Sequence, residues 1–133
     1  MMTDNSRHSH ILLIDDSDFD NLINEQIVKA SGFASTITIK QSAMEALDFL
    51  RASNSPNLPS IIFLDLMMPE MDGFDFLEQF DKLEDHIRNN CKVVVISSSI
   101  DHDDIERAQS NKYVIKFISK PLKEDELNDI KYF

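Results

Sequence analysis

The sequence predicts an α/β protein in which parallel strands alternate with helices. Short apolar runs of strand length occur along the chain, and segments with helical spacing of apolar residues separate them. The runs at 11–14, 61–64 and 93–96 contain no polar side chain, which is typical of strands buried on both faces of a parallel sheet. We therefore expect five consecutive βα units, (βα)5, in one doubly wound sheet with helices on both faces.

The first two units precede the central strand. A helix follows the first strand and ends near Gly32. The residues expected on its buried face are Phe19, Leu22, Ile23, Ile27 and Ala30. Residues 34–39 alternate between apolar and polar side chains, as expected for an edge strand. A second helix precedes the loop at 53–59, and its apolar face contains Ala43, Ala46, Leu47 and Leu50.

The last three units begin at strand 61–64. A third helix follows Gly73, and its apolar positions are Phe76, Phe80, Leu83 and Ile87. A weaker helix at 101–109 follows strand 93–96, and a short last helix follows strand 114–118. The most economical topology is flavodoxin-like, with strand order 2-1-3-4-5, which makes strands 1 and 3 neighbours.

Length and composition indicate one domain. For 133 residues we expect a flexible N-terminal tail at 1–9, a single domain at 10–133 and no output domain. The formal net charge of -11 disfavours direct binding to nucleic acid. No apolar stretch reaches the roughly 20 residues of a membrane span, and the polar N-terminus is unlike a secretory signal. With the single cysteine, Cys91, these features predict a cytoplasmic location.

Charged residues follow three of the apolar runs at the point where each run ends. Asp15 and Asp16 follow the first strand, Asp65 the third and Lys120 the fifth. Because the carboxyl ends of parallel strands share one edge of the sheet, we expect these side chains to meet in one crevice. Three carboxylates and an ammonium group suit a divalent cation and a phosphoryl group.

Four motifs at these strand ends closely resemble those of the receiver domain of two-component response regulators. They are IDDS at 14–17, LDLMMPEMDG at 64–73, VISS at 95–98 and FISKP at 117–121. The resemblance spans roughly residue 11 to the end of the chain. One departure is Tyr113-Val114, where receiver domains commonly carry a Gly-Ala pair.

The resemblance implies a role for each residue of the crevice. Asp65 would be the phosphoacceptor, whose carboxylate attacks a phosphohistidine and forms an acyl phosphate. A Mg²⁺ ion would be held by Asp15, Asp16, Asp65 and the backbone carbonyl of Met67. Lys120 would pair with the Asp65 carboxylate and then with the phosphoryl oxygens.

Ser97 and Phe117 are implied to be switch residues. In the family, the hydroxyl group at Ser97 moves to the phosphoryl group and the ring at Phe117 turns inward. This couples the site to the surface formed by the fourth helix, the fifth strand and the fifth helix. Simpler alternatives are a polar loop at Ser97 and a core position at Phe117.

The function implied by the resemblance is that of a stand-alone phosphoacceptor signalling protein rather than an enzyme. Such a protein promotes its own phosphorylation and dephosphorylation. Its expected partners are a sensor histidine kinase or histidine phosphotransfer protein and an unknown downstream protein. The chain is expected to be a monomer or a phosphorylation-dependent dimer.

Other functions fit part of the pattern. A Mg²⁺-dependent phosphohydrolase of the haloacid-dehalogenase type needs a second acid two residues after the nucleophile, where this chain has Met67. A receiver-like interaction module that is never phosphorylated usually lacks the acid pair, the nucleophile or the lysine, and all are present here. A flavin or dinucleotide binder needs glycine after the first strand, where this chain has DDSD at 15–18.

Simpler explanations also exist for single residues near the start of the chain. Asp16 or Ser17 is a candidate for the N-cap of the first helix. His8 and His10 are expected to be solvated in the polar tail.

Overall fold

A computed structural model describes residues 8–130 and contains one parallel sheet. The strands are β1 His8–Ile14, β2 Ala34–Lys40, β3 Ile61–Leu64, β4 Lys92–Ser97 and β5 Val114–Ser119. Their order is β2-β1-β3-β4-β5, and every adjacent pair is parallel. The flavodoxin-like order predicted from the sequence is therefore confirmed.

The strand register aligns the carboxyl end of β1 with that of β3, and the carboxyl end of β4 with that of β5. Ile14 of β1 pairs with Leu64 of β3, so Asp15 and Asp65 each follow a paired residue directly. The Asp65 N–H also donates to the Ile14 carbonyl at 3.0 Å, which extends the pairing to the first residue beyond the strand. In the same way, Ser97 pairs with Ser119 immediately before Lys120.

Helices cover both faces of the sheet. The helices are α1 Asp18–Ala30, α2 Ala43–Ala52, α3 Gly73–Phe80, α4 Asp85–Asn90, α5 His102–Gln109 and α6 Glu124–Asn128, and a 3-10 turn spans Ser55–Asn57. One core cluster contains residues of α2, α3 and α5, and the other contains residues of α1 and α6. Strand residues alternate between the two clusters, as Leu12 and Leu13 of β1 do.

The third helix of the sequence prediction is two helices in the structure. The N–H groups of Lys82 and Leu83 donate to carbonyls three residues back rather than four, which tightens the chain after α3 and ends the helix. The four apolar residues that suggested one long helix are nevertheless buried: Phe76, Phe80, Leu83 and Ile87. The apolar spacing therefore predicted burial correctly but not continuity.

The predicted buried face of the first helix is wrong except at Ile27, which packs against the core cluster that contains residues of α1 and α6. Phe19, Leu22 and Ile23 are 69%, 53% and 36% exposed. The buried residues of α1 are Asn21, Asn24 and Val28. The side-chain amide of Asn21 donates to the backbone carbonyl of Asp15 at 2.8 Å, which fixes the helix with a polar residue facing the end of β1.

The predicted tail is wrong at its last two residues, because β1 begins at His8. His8 is 4% exposed, and its Nδ1 lies 2.7 Å from the Ser60 hydroxyl. His10 is also engaged, with Nδ1 2.8 Å from the Asn57 carbonyl and Nε2 2.7 Å from the Thr38 hydroxyl. The remainder of the expected tail, 1–7, lies outside the described residues.

None of the helices within 8–130 combines the length and apolarity needed to cross a membrane.

Gly73 is required by a close approach of two backbone segments. A Cβ atom on this residue would lie 2.7 Å from the Asp65 carbonyl oxygen and 2.8 Å from the Leu66 Cα. The Gly73 N–H donates to the Leu66 carbonyl at 3.0 Å, which holds the two segments together. The loop that follows Asp65 is thus packed too tightly for any side chain at this position.

We predict that Gly73→Ala lowers the free energy of unfolding by about 1–3 kcal/mol, because the added methyl group forces backbone apart. Urea denaturation of the parent and the variant measures this difference. Gly32→Ala serves as a comparison, since its Cβ meets nothing within 4 Å and only its positive φ is strained. A Gly73→Ala protein as stable as the parent would show that the loop can move to accommodate the methyl group without a loss in the free energy of unfolding.

Candidate functional site

Three carboxylates meet at the carboxyl ends of β1 and β3. Oxygen atoms of Asp15, Asp16 and Asp65 all lie within 4.8 Å of one another. Asp15 and Asp65 are 3% and 4% exposed, whereas Asp16 is exposed to solvent. The crevice expected from the strand ends is therefore present, with two buried acids and one open to solvent.

The loop after β1 fixes the orientation of Asp15. Its Oδ1 accepts a hydrogen bond from the Ser17 N–H at 3.0 Å, and its Oδ2 accepts from the Lys120 ammonium at 2.9 Å. The N-cap of α1 is Ser17, whose hydroxyl accepts from the Asp20 N–H at 3.2 Å. Capping therefore accounts for Ser17 and leaves Asp16 without a structural role of that kind.

Asp65 is a buried acid in an unfavourable electrostatic position. Burial, followed by repulsion from Asp15, raises the pKa of the Asp65 carboxyl from 3.8 to about 6. The nearby Lys120 ammonium, 3.6 Å from Oδ1, and a hydrogen bond of 3.3 Å from the Met67 N–H oppose this rise. These favourable contacts do not balance the loss of water and the crowding of negative charge.

Lys120 bonds to more than one carboxylate. Its ammonium group lies 2.9 Å from Asp15 and 2.8 Å from Asp20, and its side chain is 18% exposed. Burial alone would lower the pKa of Lys120, but the hydrogen bonds with Asp20 and Asp15 and the attraction of Asp65 raise it above the ordinary range. The lysine therefore carries its positive charge throughout the neutral pH range.

The donors present fit a hard divalent cation. The ammonium of Lys120 contacts three carboxylates, those of Asp15, Asp20 and Asp65, and Asp16 adds a fourth beside Asp15 and Asp65. Among the described residues, Asp16 accepts no hydrogen bond and forms no ion pair, so its oxygens are open to a ligand. Carboxylate oxygens close to solvent are the ligands that Mg²⁺ takes in proteins, together with several waters.

Ser97, Met67 and Phe117 lie at the positions expected from their strands. Ser97 is fully buried at the end of β4, and its hydroxyl accepts a hydrogen bond from the Ser99 N–H at 3.1 Å. Met67 is 59% exposed at the rim of the crevice. Phe117 is half-buried on β5, where it packs against the core cluster of the α2, α3 and α5 face.

The positions of two α1 residues beside the site were not predicted from the sequence. Asp20 bonds to Lys120, and Asn21 lies against a small space behind Asp15 and Asp65 with no hydrogen-bond partner for its Oδ1. An acid in the first turn of a helix is normally explained by the helix dipole, so the pattern did not distinguish Asp20 from Asp18. A buried Asn21 was obscured by the apolar residues that flank it in the sequence.

We predict that Asp65→Asn is more stable than the parent at pH 8 by about 1–3 kcal/mol. With a pKa of about 6 in the folded state and 3.8 unfolded, Asp65 binds more protons when folded. Its ionisation therefore removes stability as the pH rises from about 4 to above 6, and asparagine does not ionise.

Urea denaturation in metal-free buffer at pH 4 and pH 8 measures this effect. The stability difference between variant and parent should be much smaller at pH 4, where Asp65 is protonated in the folded chain and roughly half ionised in the unfolded chain, whose pKa is 3.8. Equal stabilities at pH 8 would contradict the raised pKa.

Comparison with known proteins places this site in a family. The sequence profile of the response regulator receiver domain matches residues 11–131. A probable methanogenesis regulatory protein, FilR2 of Methanothrix harundinacea, is 33% identical over 119 residues, which are 88% of this chain and 75% of that protein. Response regulator Rcp1 of Synechocystis is 32% identical over 99 residues, 71% of this chain and 65% of its own length.

Solved structures agree with the sequence comparison. A response regulator receiver protein from Dyadobacter fermentans superimposes with a TM-score of 0.81 at 33% identity, covering 90% of this chain and 91% of its own. The Mn(2+)-bound form of response regulator Rcp1 has a TM-score of 0.71 at 27% identity, covering 90% of this chain and 86% of its own. The chain belongs to the response regulator receiver domain family.

Proposed function

We propose that this chain is a receiver that accepts a phosphoryl group from a phosphohistidine onto Asp65 and signals through altered protein contacts. The observation that carries the proposal is the position of Asp65, a buried carboxylate beside two further acids and a lysine ammonium. Such a group combines a nucleophile with the charges needed for phosphoryl transfer. The family membership and the order of the motifs support the same assignment.

In the proposed reaction, one oxygen of the Asp65 carboxylate attacks the phosphorus atom and forms an acyl phosphate. The bond between phosphorus and the donor imidazole breaks, and its electron pair returns to the imidazole nitrogen. Asp65 must be ionised to attack, which its pKa of about 6 permits at neutral pH. Lys120 lies close enough to the carboxylate to pair with a phosphoryl oxygen as negative charge accumulates.

A Mg²⁺ ion is the cofactor that we propose for this site. It would be held by Asp15, Asp16, Asp65 and the carbonyl of Met67, and would supply positive charge to the phosphoryl oxygens. The cluster of three carboxylates supports this assignment. The Mn(2+)-bound form of the similar Rcp1 is consistent with a divalent cation in a protein of this family.

We propose that Ser97 and Phe117 transmit the change. The Ser97 hydroxyl accepts a hydrogen bond from the Ser99 N–H in this structure, and in the phosphorylated protein it would donate to a phosphoryl oxygen instead. The ring of Phe117 would then turn toward the space that the Ser97 hydroxyl leaves. Phe117 also lines a cavity of about 380 Å³ on the outer side of β5, together with Gln109, Val114, Ile115 and Lys116. A change in this ring would therefore alter the surface formed by α5, β5 and α6.

The proposed phosphoryl donor is a sensor histidine kinase or a histidine phosphotransfer protein in the cytoplasm. The helix α1 borders the site, since its Asp20 contacts Lys120. The exposed side chains of Phe19, Leu22 and Ile23 lie on the same helix and offer such a protein an apolar contact surface. The downstream partner would bind a different surface, and a phosphorylation-dependent dimer is one form of that interaction.

The observations do not favour a phosphohydrolase. Such an enzyme requires an acid two residues after the nucleophile to protonate the leaving group. That position holds Met67, which is exposed and apolar and has no proton to exchange.

We predict that the parent chain gains one phosphoryl group when it is incubated with Mg²⁺ and a small phosphodonor such as acetyl phosphate. Intact-mass measurement with short quench times detects the adduct. Asp65→Asn should gain none, and the parent without a divalent cation should gain little. Asp48→Asn, which removes an exposed carboxylate from α2, serves as the matched control and should behave as the parent.

Two results would contradict the proposed function. One is the absence of an adduct on the folded parent with several donors in the presence of Mg²⁺. The other is an adduct that persists in Asp65→Asn, which would place the modification elsewhere. The first result would favour a receiver-like interaction module that is not phosphorylated.

A further inference from the structure

The ammonium group of Lys120 lies closer to an acid of α1 than to the proposed nucleophile. Its nitrogen is 2.8 Å from Asp20 Oδ2 and 2.9 Å from Asp15 Oδ2, but 3.6 Å from Asp65 Oδ1. The first two distances are those of charge-assisted hydrogen bonds, and the third is too long for one. Lys120 is therefore hydrogen-bonded to Asp15 and Asp20 and forms only a longer ion pair with Asp65.

Asp20 differs from the other acids that surround this lysine. It is not one of the three carboxylates that lie together as candidate metal ligands. Its backbone N–H donates to the Ser17 hydroxyl in the N-cap of α1, so its position is set by the start of the helix. Its side chain is 36% exposed, which makes its contact with Lys120 less costly to break than that of buried Asp15.

We propose that Asp20 is a positioning residue that holds Lys120 in the unphosphorylated protein and competes with the phosphoryl group for it. This inference rests on the proposed function, because it assumes that Asp65 is the group that becomes phosphorylated. A phosphoryl group on Asp65 brings negative oxygens to the side of Lys120 that faces the nucleophile. Attraction to these oxygens has to overcome the ion pair with Asp20, so Asp20 weakens the phosphorylated state relative to the resting state.

The competition follows from the single charge of the lysine. A phosphoryl group that approaches the ammonium is attracted less strongly while another carboxylate stays bound to it, because that carboxylate already offsets part of the positive charge. Asp18, one residue from the N-cap, provides the comparison, since it belongs to the same turn of α1 and its carboxylate contacts Gln41 instead of Lys120. Removal of either acid changes the net charge equally, but only removal of Asp20 takes an ion-pair partner away from Lys120.

Beryllofluoride tests this competition at equilibrium. In saturating Mg²⁺, an Asp65 oxygen donates an electron pair to beryllium and displaces water or fluoride, which gives an adduct with the shape and charge of an acyl phosphate. The fraction of protein in the adduct is measured by fluorine NMR across a titration. We expect Asp20→Asn to bind beryllofluoride about two- to tenfold more tightly than the parent, the effect of losing one partly exposed ion pair.

The controls separate the contact from charge and from folding. Asp18→Asn and Asp20→Glu should bind beryllofluoride as the parent does, because both keep an acid within reach of Lys120. Asp20→Ala provides a second removal of the carboxylate and should reproduce the tighter binding of Asp20→Asn. Thermal unfolding of each protein verifies that it is folded.

The outcomes distinguish this inference from the function on which it rests. Tighter binding by Asp20→Asn and Asp20→Ala, but not by Asp18→Asn, supports the competition. If Asp20→Asn binds as Asp18→Asn does, or more weakly than the parent, the inference is overturned while the phosphoacceptor function stands. If the folded parent forms no beryllofluoride adduct that depends on Asp65, the proposed function itself fails.

Discussion

The site depends on one ammonium group shared among several carboxylates. The parallel register places Asp15 and Asp65 side by side at the edge of the sheet, where water is largely excluded and like charges repel. Lys120 reaches this edge from the end of β5 and contacts both, but it also bonds to Asp20 of α1. One positive charge therefore cannot compensate all the acids, and the site retains a deficit that a divalent cation would offset.

This deficit connects stability with function. A buried carboxylate whose pKa is raised to about 6 is unfavourable in the folded state once it ionises. The same ionised oxygen is what a phosphoryl acceptor requires. Two contacts hold Asp65 in place although its ionised form is unfavourable in the folded state. Gly73 allows the β3–α3 loop to pack against the Asp65 backbone, and the Met67 N–H donates to the carboxylate.

The strands and their charged ends were predictable from the sequence, because continuous apolar runs at residues 11–14 and 61–64 require burial on both faces. The orientation of α1 could not be predicted from the sequence. Helical periodicity assigns apolar residues to the inner face, but this helix places Asn21 there to bond the Asp15 carbonyl and leaves Leu22 outside. The role of Asp20 was equally hidden, since its contact with Lys120 joins residues a hundred positions apart.

Asp65 is a buried carboxylate in a net negative environment, which the proposed divalent cation would relieve. Carbon-13 NMR titration of the Asp65 side-chain carboxyl, with and without Mg²⁺, tests it most directly, and Asp65→Asn assigns the signal. We expect a midpoint near pH 6 in the metal-free protein and a clearly lower midpoint when Mg²⁺ is bound. A midpoint near the ordinary value of 3.8 without metal, or one that Mg²⁺ does not move, would contradict it.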